Sequence, residues 1–309
     1  MIASLFRKST PFNYTVLIVL VAVFYLLFQF SASEKANDVA GLLEKVFLFG
    51  LIFSSLFILN FIVKKNGMSR DNSYAILFYF LFTLFFPQAY DNFNLMVSNF
   101  FVLLALRRLI SLQSLKTPKE KIFDASLWIF FAAMFHFWSV LFIVLVFVSI
   151  VFHVSRDYRN WILPLIAFVA SIVVFFLFAL VLDESRIDFV AANIPMDFSI
   201  DYFTDTKQNL ALAMYAPVVV YYFFLTATTL SQRPLILQSS YKKVILAFFI
   251  GLAIFIVSPF KSNDVLIYTL APLAIMASTI VETTSSQLNR ELMAGLTALV
   301  AVVCFFLQL

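Results

Sequence analysis

Three carboxylates, Glu34, Asp38 and Glu44, follow the first long apolar run at spacings of four and six. Acids in that place can act as a general base or hold a metal ion, and they equally suit a plain solvated connection between helices. A second polar cluster, Asp91, Asn92, Asn94 and Asn99, lies in "FFPQAYDNFNLMVSN". Asp91 or Asn92 can cap the helix that starts there, and Asn99, one turn further in, can hydrogen-bond a neighbouring helix. His136 stands in "AAMFHFWSVL", between Phe135, Phe137 and Trp138. An imidazole there is either a proton acceptor or phosphate contact in a cavity, or a packing residue tied into a turn. Lys261, with Asp264 and Tyr268 after it, can present a cation to a lipid phosphate or simply snorkel to the interface. Arg107 and Arg108 in "ALRRLISL" offer the same pair of readings, phosphate contact or topological anchor.

Other chemistries are excluded by residue type. No phosphate-cradling Gly loop, metalloprotease helix or serine-nucleophile elbow is present. The single cysteine, Cys304, allows neither an intrachain disulfide nor a thiolate metal site, and reads as a buried spectator. Two histidines, His136 and His153, exclude sites built from three or four imidazoles, and with them haem-copper and carotenoid-cleaving iron chemistry. No cofactor is required by these residues. A divalent metal is compatible with the acidic first loop, and no nucleic-acid partner is expected.

The elements that must position these groups are membrane helices. The chain has 309 residues, 63% hydrophobic and 12% charged, with 41 Phe. Such a composition does not suit a water-facing surface. Its apolar runs match the ~20 residues a helix needs to cross a bilayer, and the period-2 alternation of a membrane barrel is absent. The expected fold is therefore all-α and polytopic, one transmembrane domain over 1–309 without a soluble domain. With only five Gly, Gly-x-x-x-Gly packing is not the organising device. The N-terminus imitates a signal peptide, with Arg7 and Lys8 before an apolar stretch and "SAS" after it; it is read as a retained first span.

The apolar run at 122–152 is too long for one span, at ~46 Å if helical, and too short for two full ones. Both flanks, "KTPKEK" at 116–121 and "SRDYR" at 155–159, are net basic, and basic short loops stay cytoplasmic. A hairpin of two short helices, 122–135 and 138–152, satisfies both constraints and puts His136 at its apex. Counting it as two of about 11 passes leaves only Lys35, Lys45, Arg186, Lys207 and Lys261 outside, against sixteen of the 21 bases inside. The N-terminus is then cytoplasmic and the C-terminus periplasmic. The longest connection, the outer loop 183–209, carries six acids and two bases; its apolar residues suggest that it lies against the membrane surface or covers a cavity.

The stretch "SNFFVLLALRRLISLQSLKTPKEKIFDASLWIFFAAMFHFWSVLFIVLVFV" resembles the central region of GT-C-type integral membrane glycosyltransferases, where a span ending in basic residues precedes a short hairpin. "FKSNDVLIYTLAPLAIMAS" resembles their late segment. The whole chain, beginning "MIASLFRKSTPFNY", is similar to an uncharacterised family of Bacteroidota inner-membrane proteins. The GT-C resemblance implies transfer of a sugar from a polyprenyl-phosphate donor at the outer face of the inner membrane. It makes Glu34 or Asp38 the base or metal ligand. From the residues themselves, His136 can orient that carboxylate or touch the donor phosphate, and Lys261 with Tyr268, and Arg107 and Arg108, are the candidate contacts to a lipid phosphate. The first outer loop here is shorter than the family's, lacks its frequent acidic pair, and no soluble outer domain follows. A non-catalytic membrane subunit of an envelope complex, with membrane protein partners, is the competing reading. A lipid or solute transporter is the third: Pro164, Pro217, Pro259 and Pro272 can break spans, but acids at mid-membrane depth are lacking.

Overall fold

A computed structural model describes residues 2–31, 39–182, 184–199, 206–259 and 261–309. Among the described residues the fold is all helical. The helices are α1 (Ile2–Leu5), α2 (Pro11–Ser31), α3 (Val39–Lys65), α4 (Tyr74–Thr83), α5 (Phe93–Ile110), α6 (Pro118–Phe135), α7 (Ile143–His153), α8 (Arg159–Leu182), α9 (Ser185–Ala192), α10 (Thr206–Thr229), α11 (Leu235–Val257), α12 (Ile267–Thr283) and α13 (Gln287–Gln308). Eight are long and apolar enough to cross a membrane: α2, α3, α5, α8 and α10 to α13. The chain is a polytopic helical membrane protein.

Helix α12 is the axis of the bundle. Every residue from Ile267 to Val281 is buried, against α4, α5, α10, α11 and α13. Its neighbours reach it through hydroxyl pairs: Tyr215 with Thr269 (2.8 Å), Tyr241 with Thr279 (3.2 Å), and Tyr268 with Ser98 of α5 (2.7 Å). Such pairs satisfy polar groups where no water is available. The closest approach is at Gly251 of α11, where an added Cβ would lie 2.9 Å from Thr269 Cγ2 and 3.1 Å from the Tyr268 carbonyl carbon.

The run at 73–89 differs from the expected continuous span. Helix α4 has ten residues, all buried, and the chain then continues through turns into a 3-10 segment, Pro87–Asp91. The segment still joins opposite ends of the bundle: Tyr74 donates to the Ala3 carbonyl, while Gln29 donates to Asp91 at the far end. A broken helix is tolerated at this depth because protein, not lipid, surrounds it.

The 122–152 run is a hairpin. Helix α6 stops at Phe135, His136 is extended (φ −142°, ψ 103°), and a 3-10 segment, Phe137–Phe142, leads into α7. No Gly or Pro marks the break. The two feet meet: Lys119 Nζ lies 3.2 Å from Asp157 Oδ2. Inside that contact, Lys121 donates to the Ser111 carbonyl (2.8 Å) just beyond α5. Buried Lys243 of α11 donates to the Leu109 carbonyl (2.6 Å) and lies 3.1 Å from His153 Nε2 at the end of α7. Ammonium groups thus occupy the C-terminal carbonyls of α5, where the helix dipole favours cations.

The feet of the hairpin share one end of the bundle with the C-termini of α3, α5 and α12 and the N-termini of α11 and α13. Gln113 donates to the Asn66 carbonyl and accepts from Ser240; Ser69 and Asn72 donate to Glu282. The sixteen bases expected together fall at this end, called the basic end below. Of the other five, Lys45, Arg186, Lys207 and Lys261 fall at the opposite end, and Lys35 lies outside the described residues.

Two outcomes test this arrangement. Cysteines at 119 and 157, in a Cys304→Ala background, are expected to join within one chain through a short bis-maleimide; an absent cross-link rules the hairpin out. Gly251→Ala should lower the thermal midpoint in detergent, at a cost of about 1–3 kcal/mol from overpacking against α12.

Candidate functional site

The predicted site residues that the structure describes are not brought into one place. His136 is buried, its ring 5.8 Å from that of Tyr268. Its backbone continues the α6 ladder, donating to the Ala132 carbonyl (3.0 Å), and its carbonyl accepts from Ser139 N (3.0 Å). Its Nε2 is sealed from solvent and has no hydrogen-bond partner among the described residues. Tyr268 is buried too, its hydroxyl committed to Ser98. The structure therefore joins His136 and Tyr268, a pair the sequence did not link, inside the protein and not on a rim.

Lys261 is half-buried and donates to the carbonyl of Asp197, pinning the outer loop to the start of the segment before α12. Asp197 N bonds the Val257 carbonyl (3.3 Å) from the same side. Its carboxylate accepts from Ser199 N and Oγ, which holds it below the usual carboxylate range. The loop 183–209 thus packs on the α11–α12 junction through its described residues.

Arg107 and Arg108 sit at the basic end, away from His136 and Tyr268. Arg107 stacks over Phe61 (4.5 Å) and Arg108 pairs with Asp124 of α6 (2.7 Å). Ser98 and Arg107 are nine residues apart on α5, a rise of ~14 Å, so the arginines and Tyr268 cannot share one phosphate. Glu34 and Asp38 lie outside the described residues. Among the described residues no three His, Cys, Asp or Glu side chains come together as a metal set.

A site that the residue patterns did not reveal lies between the hairpin and α8. An apolar cavity of about 310 Å³ is walled by Phe93, Phe101, Phe131, Met134 and Phe135 on one side and by Val174, Phe175 and Phe178 on the other. Its rings interlock: Phe101 is 6.0 Å from both Phe131 and Phe135, and Phe93 is 6.5 Å from Phe135. Arg186, at the start of α9, is its charged wall. The same Arg186 borders an open groove with Leu43, Glu44, Phe47, Phe93 and Asn94. Its Nη1 lies 3.4 Å from Asn94 Oδ1, and its guanidinium lies over Phe189 (5.8 Å).

The local chain explains the placement. Asn92 caps α5 by accepting from Leu95 N (3.2 Å), which sets Phe93 and Asn94 on its first turn. The break at His136 ends α6 with Phe131, Met134 and Phe135 facing α8 at helical spacing. The short α9 follows directly after α8 and returns Arg186 over the slot. Apolar walls with one guanidinium at the mouth match an amphiphile whose chain is hydrocarbon and whose head is a phosphate, which Arg binds in bidentate fashion. Glu44, which the structure places on the second turn of α3 and not in a loop, borders the same groove. Two signals pointed here: Arg186 is one of five outer bases, and Phe175 and Phe178 recur at helical spacing.

Comparison with protein-family models, with curated proteins and with solved structures finds no match.

The sealed Nε2 of His136 has a measurable consequence. An unpaired buried polar group costs about 1–3 kcal/mol. His136→Leu is therefore expected to raise the thermal midpoint in detergent; a fall would show that the imidazole has a partner it needs.

Proposed function

We propose that this membrane protein binds a phosphate-bearing lipid entering sideways from the bilayer at the end opposite the basic end. The observation that carries this reading is the Phe-lined slot ending at Arg186, with Glu44 on the adjoining groove. The positive-inside distribution supports reading this end as the outer face, with a cytoplasmic N-terminus and a periplasmic C-terminus, and the reading takes the membrane to be the inner one. The hairpin, the basic end of α5 and the lipid slot together suit a GT-C-like protein that transfers a sugar from a polyprenyl-phosphate donor. In that reading Glu34 or Asp38 supplies the base, since a carboxylate is ionised at neutral pH. Phosphate contact in this reading is made by Arg186, which walls both the slot and the groove.

The sealed contact of His136 with Tyr268 favours a second reading. A catalytic imidazole needs access to substrate, and the Nε2 of His136 has none in this structure. A lipid-binding subunit of an envelope complex, without its own chemistry, would use the slot and leave His136 as packing.

Native mass spectrometry with undecaprenyl phosphate tests the binding. Arg186→Ala should weaken it by about 10-fold or more, the equivalent of one charge-assisted contact. Val174→Trp should block the slot without touching charge. Retention at the wild-type level in both variants would remove the site. Sugar transfer that disappears in Glu34→Gln or Asp38→Asn supports the enzyme; lipid binding with no transfer by the wild type leaves the subunit reading.

A further inference from the structure

A second amphiphile site lies at the basic end, on helices that the outer slot does not use. Helices α10 and α13 are pinned together by Tyr222, whose hydroxyl pairs with Thr297 Oγ1 (2.9 Å). Beside that pin a groove of about 540 Å³ runs between the two helices, walled by Val218, Tyr221, Leu292, Leu296 and Val300. Leu296 and Leu292 are 61% and 51% exposed, so the groove is open to the bilayer rather than covered by protein. Its lower wall, Met293, is also a wall of a second pocket, of about 430 Å³.

That second pocket has a different chemistry. Thr229, Gln232, Arg233, Thr283, Thr284 and Ser285 line it, at the ends of α10 and α12 and the turn into α13. The threonine hydroxyls donate to their own helices: Thr229 to the Leu225 carbonyl (2.7 Å), Thr283 to Thr279 (2.9 Å) and Thr284 to Ile280 (2.8 Å). Their oxygens therefore face the pocket as acceptors. Arg233 is the cation. It is held over the Tyr241 ring (5.4 Å) with Nη2 at 3.3 Å from Thr283 Oγ1, and its fork of five N–H donors serves an anion as well. The N-terminus of the 22-residue helix α13 adds its favourable dipole at Ser286, which already caps it.

We infer that the pocket at Arg233 and the adjoining α10–α13 groove form a binding site for an anionic glycerophospholipid with a hydroxylated headgroup, of the phosphatidylglycerol class. The phosphodiester sits on Arg233 as a charge-assisted pair. The headgroup hydroxyls donate to the threonine oxygens, which a choline headgroup cannot do. An acyl chain passes Met293 and lies along Leu292, Leu296 and Val300. The depth is consistent: the pocket is at the helix ends, where headgroups are, and the groove runs from it toward the bundle's middle. The site is independent of the outer slot, and neither the sugar-transfer nor the subunit reading is needed for it.

The experiment is native mass spectrometry of the full chain released from nanodiscs of equal phosphatidylglycerol and phosphatidylcholine. Wild type should retain phosphatidylglycerol preferentially. Arg233→Gln should lower that retention about 10-fold, one charge-assisted contact, and leave phosphatidylcholine adducts unchanged. Leu296→Trp, on the exposed groove wall, should also displace phosphatidylglycerol without altering any charge. Lys242→Gln, an exposed base at the same end but outside the pocket, should retain the lipid as wild type does. Unchanged retention in Arg233→Gln or in Leu296→Trp overturns the site. So does an equal loss in Lys242→Gln, which would mean that the lipid follows the general positive field of this end.

Discussion

In a bilayer two apolar helices gain nothing by hiding from water, so a helix enclosed on all sides, as α12 is, has to be held by packing and hydrogen bonds. Both devices converge on it. Gly251 lets α11 come within contact of the α12 backbone, and tyrosines of α10 and α11 reach threonines on its faces while its own Tyr268 reaches Ser98. Enclosing α12 also makes the broken α4 tolerable, because the turns after Thr83 face protein and not lipid. The outer helices are then free to be nearly featureless. More than half of the described residues of α8 are exposed, all of these apolar except Arg159, which suits hydrocarbon on one side and the hairpin on the other.

The basic end depends on a second constraint. Carbonyls at the C-terminus of α5 have no partners within the helix. Two lysines, from the hairpin and from α11, supply them, and Lys243 is within 3.1 Å of His153 as well. One cationic cluster therefore anchors α5, both hairpin feet and α11 at the same level. Fixing the feet leaves the apex to be shaped by its own packing, and the sealed contact of His136 with Tyr268 is the result. The slot beside α8 is the space left where the halves of α6 and α8 away from the basic end face each other through aromatic rings.

The two proposed amphiphile sites have a common logic and opposite places. Each joins an apolar groove facing the bilayer to a single arginine near the helix ends, Arg186 at one end and Arg233 at the other. In both, neighbouring rings and amide or hydroxyl oxygens orient the guanidinium, so its planar fork is preorganised. Arg107 and Arg108 look similar in sequence, but Arg107 stacks over Phe61, Arg108 pairs with Asp124, and neither walls the slot or the groove.

The sequence by itself determined the class, the helical runs and the hairpin. Length and apolarity decide whether a run can cross, and the basic flanks at 116–121 and 155–159 decide that its two ends lie together. The Lys119–Asp157 contact is the structural form of that argument. Asn92 as a cap and buried Cys304 were equally legible, because capping and burial are local preferences. Tertiary structure alone decided which side each polar group faces. Helix α12 is buried all round, so its period gives no direction, and only its neighbours turn Tyr268 inward. In "YKK" nothing distinguishes Lys242, exposed, from Lys243, fully buried against a carbonyl 134 residues away. The slot at Arg186 draws its walls from α5, α6 and α8, segments far apart in the chain. No spacing within one segment encodes such a cavity, because it exists only in the gap between helices.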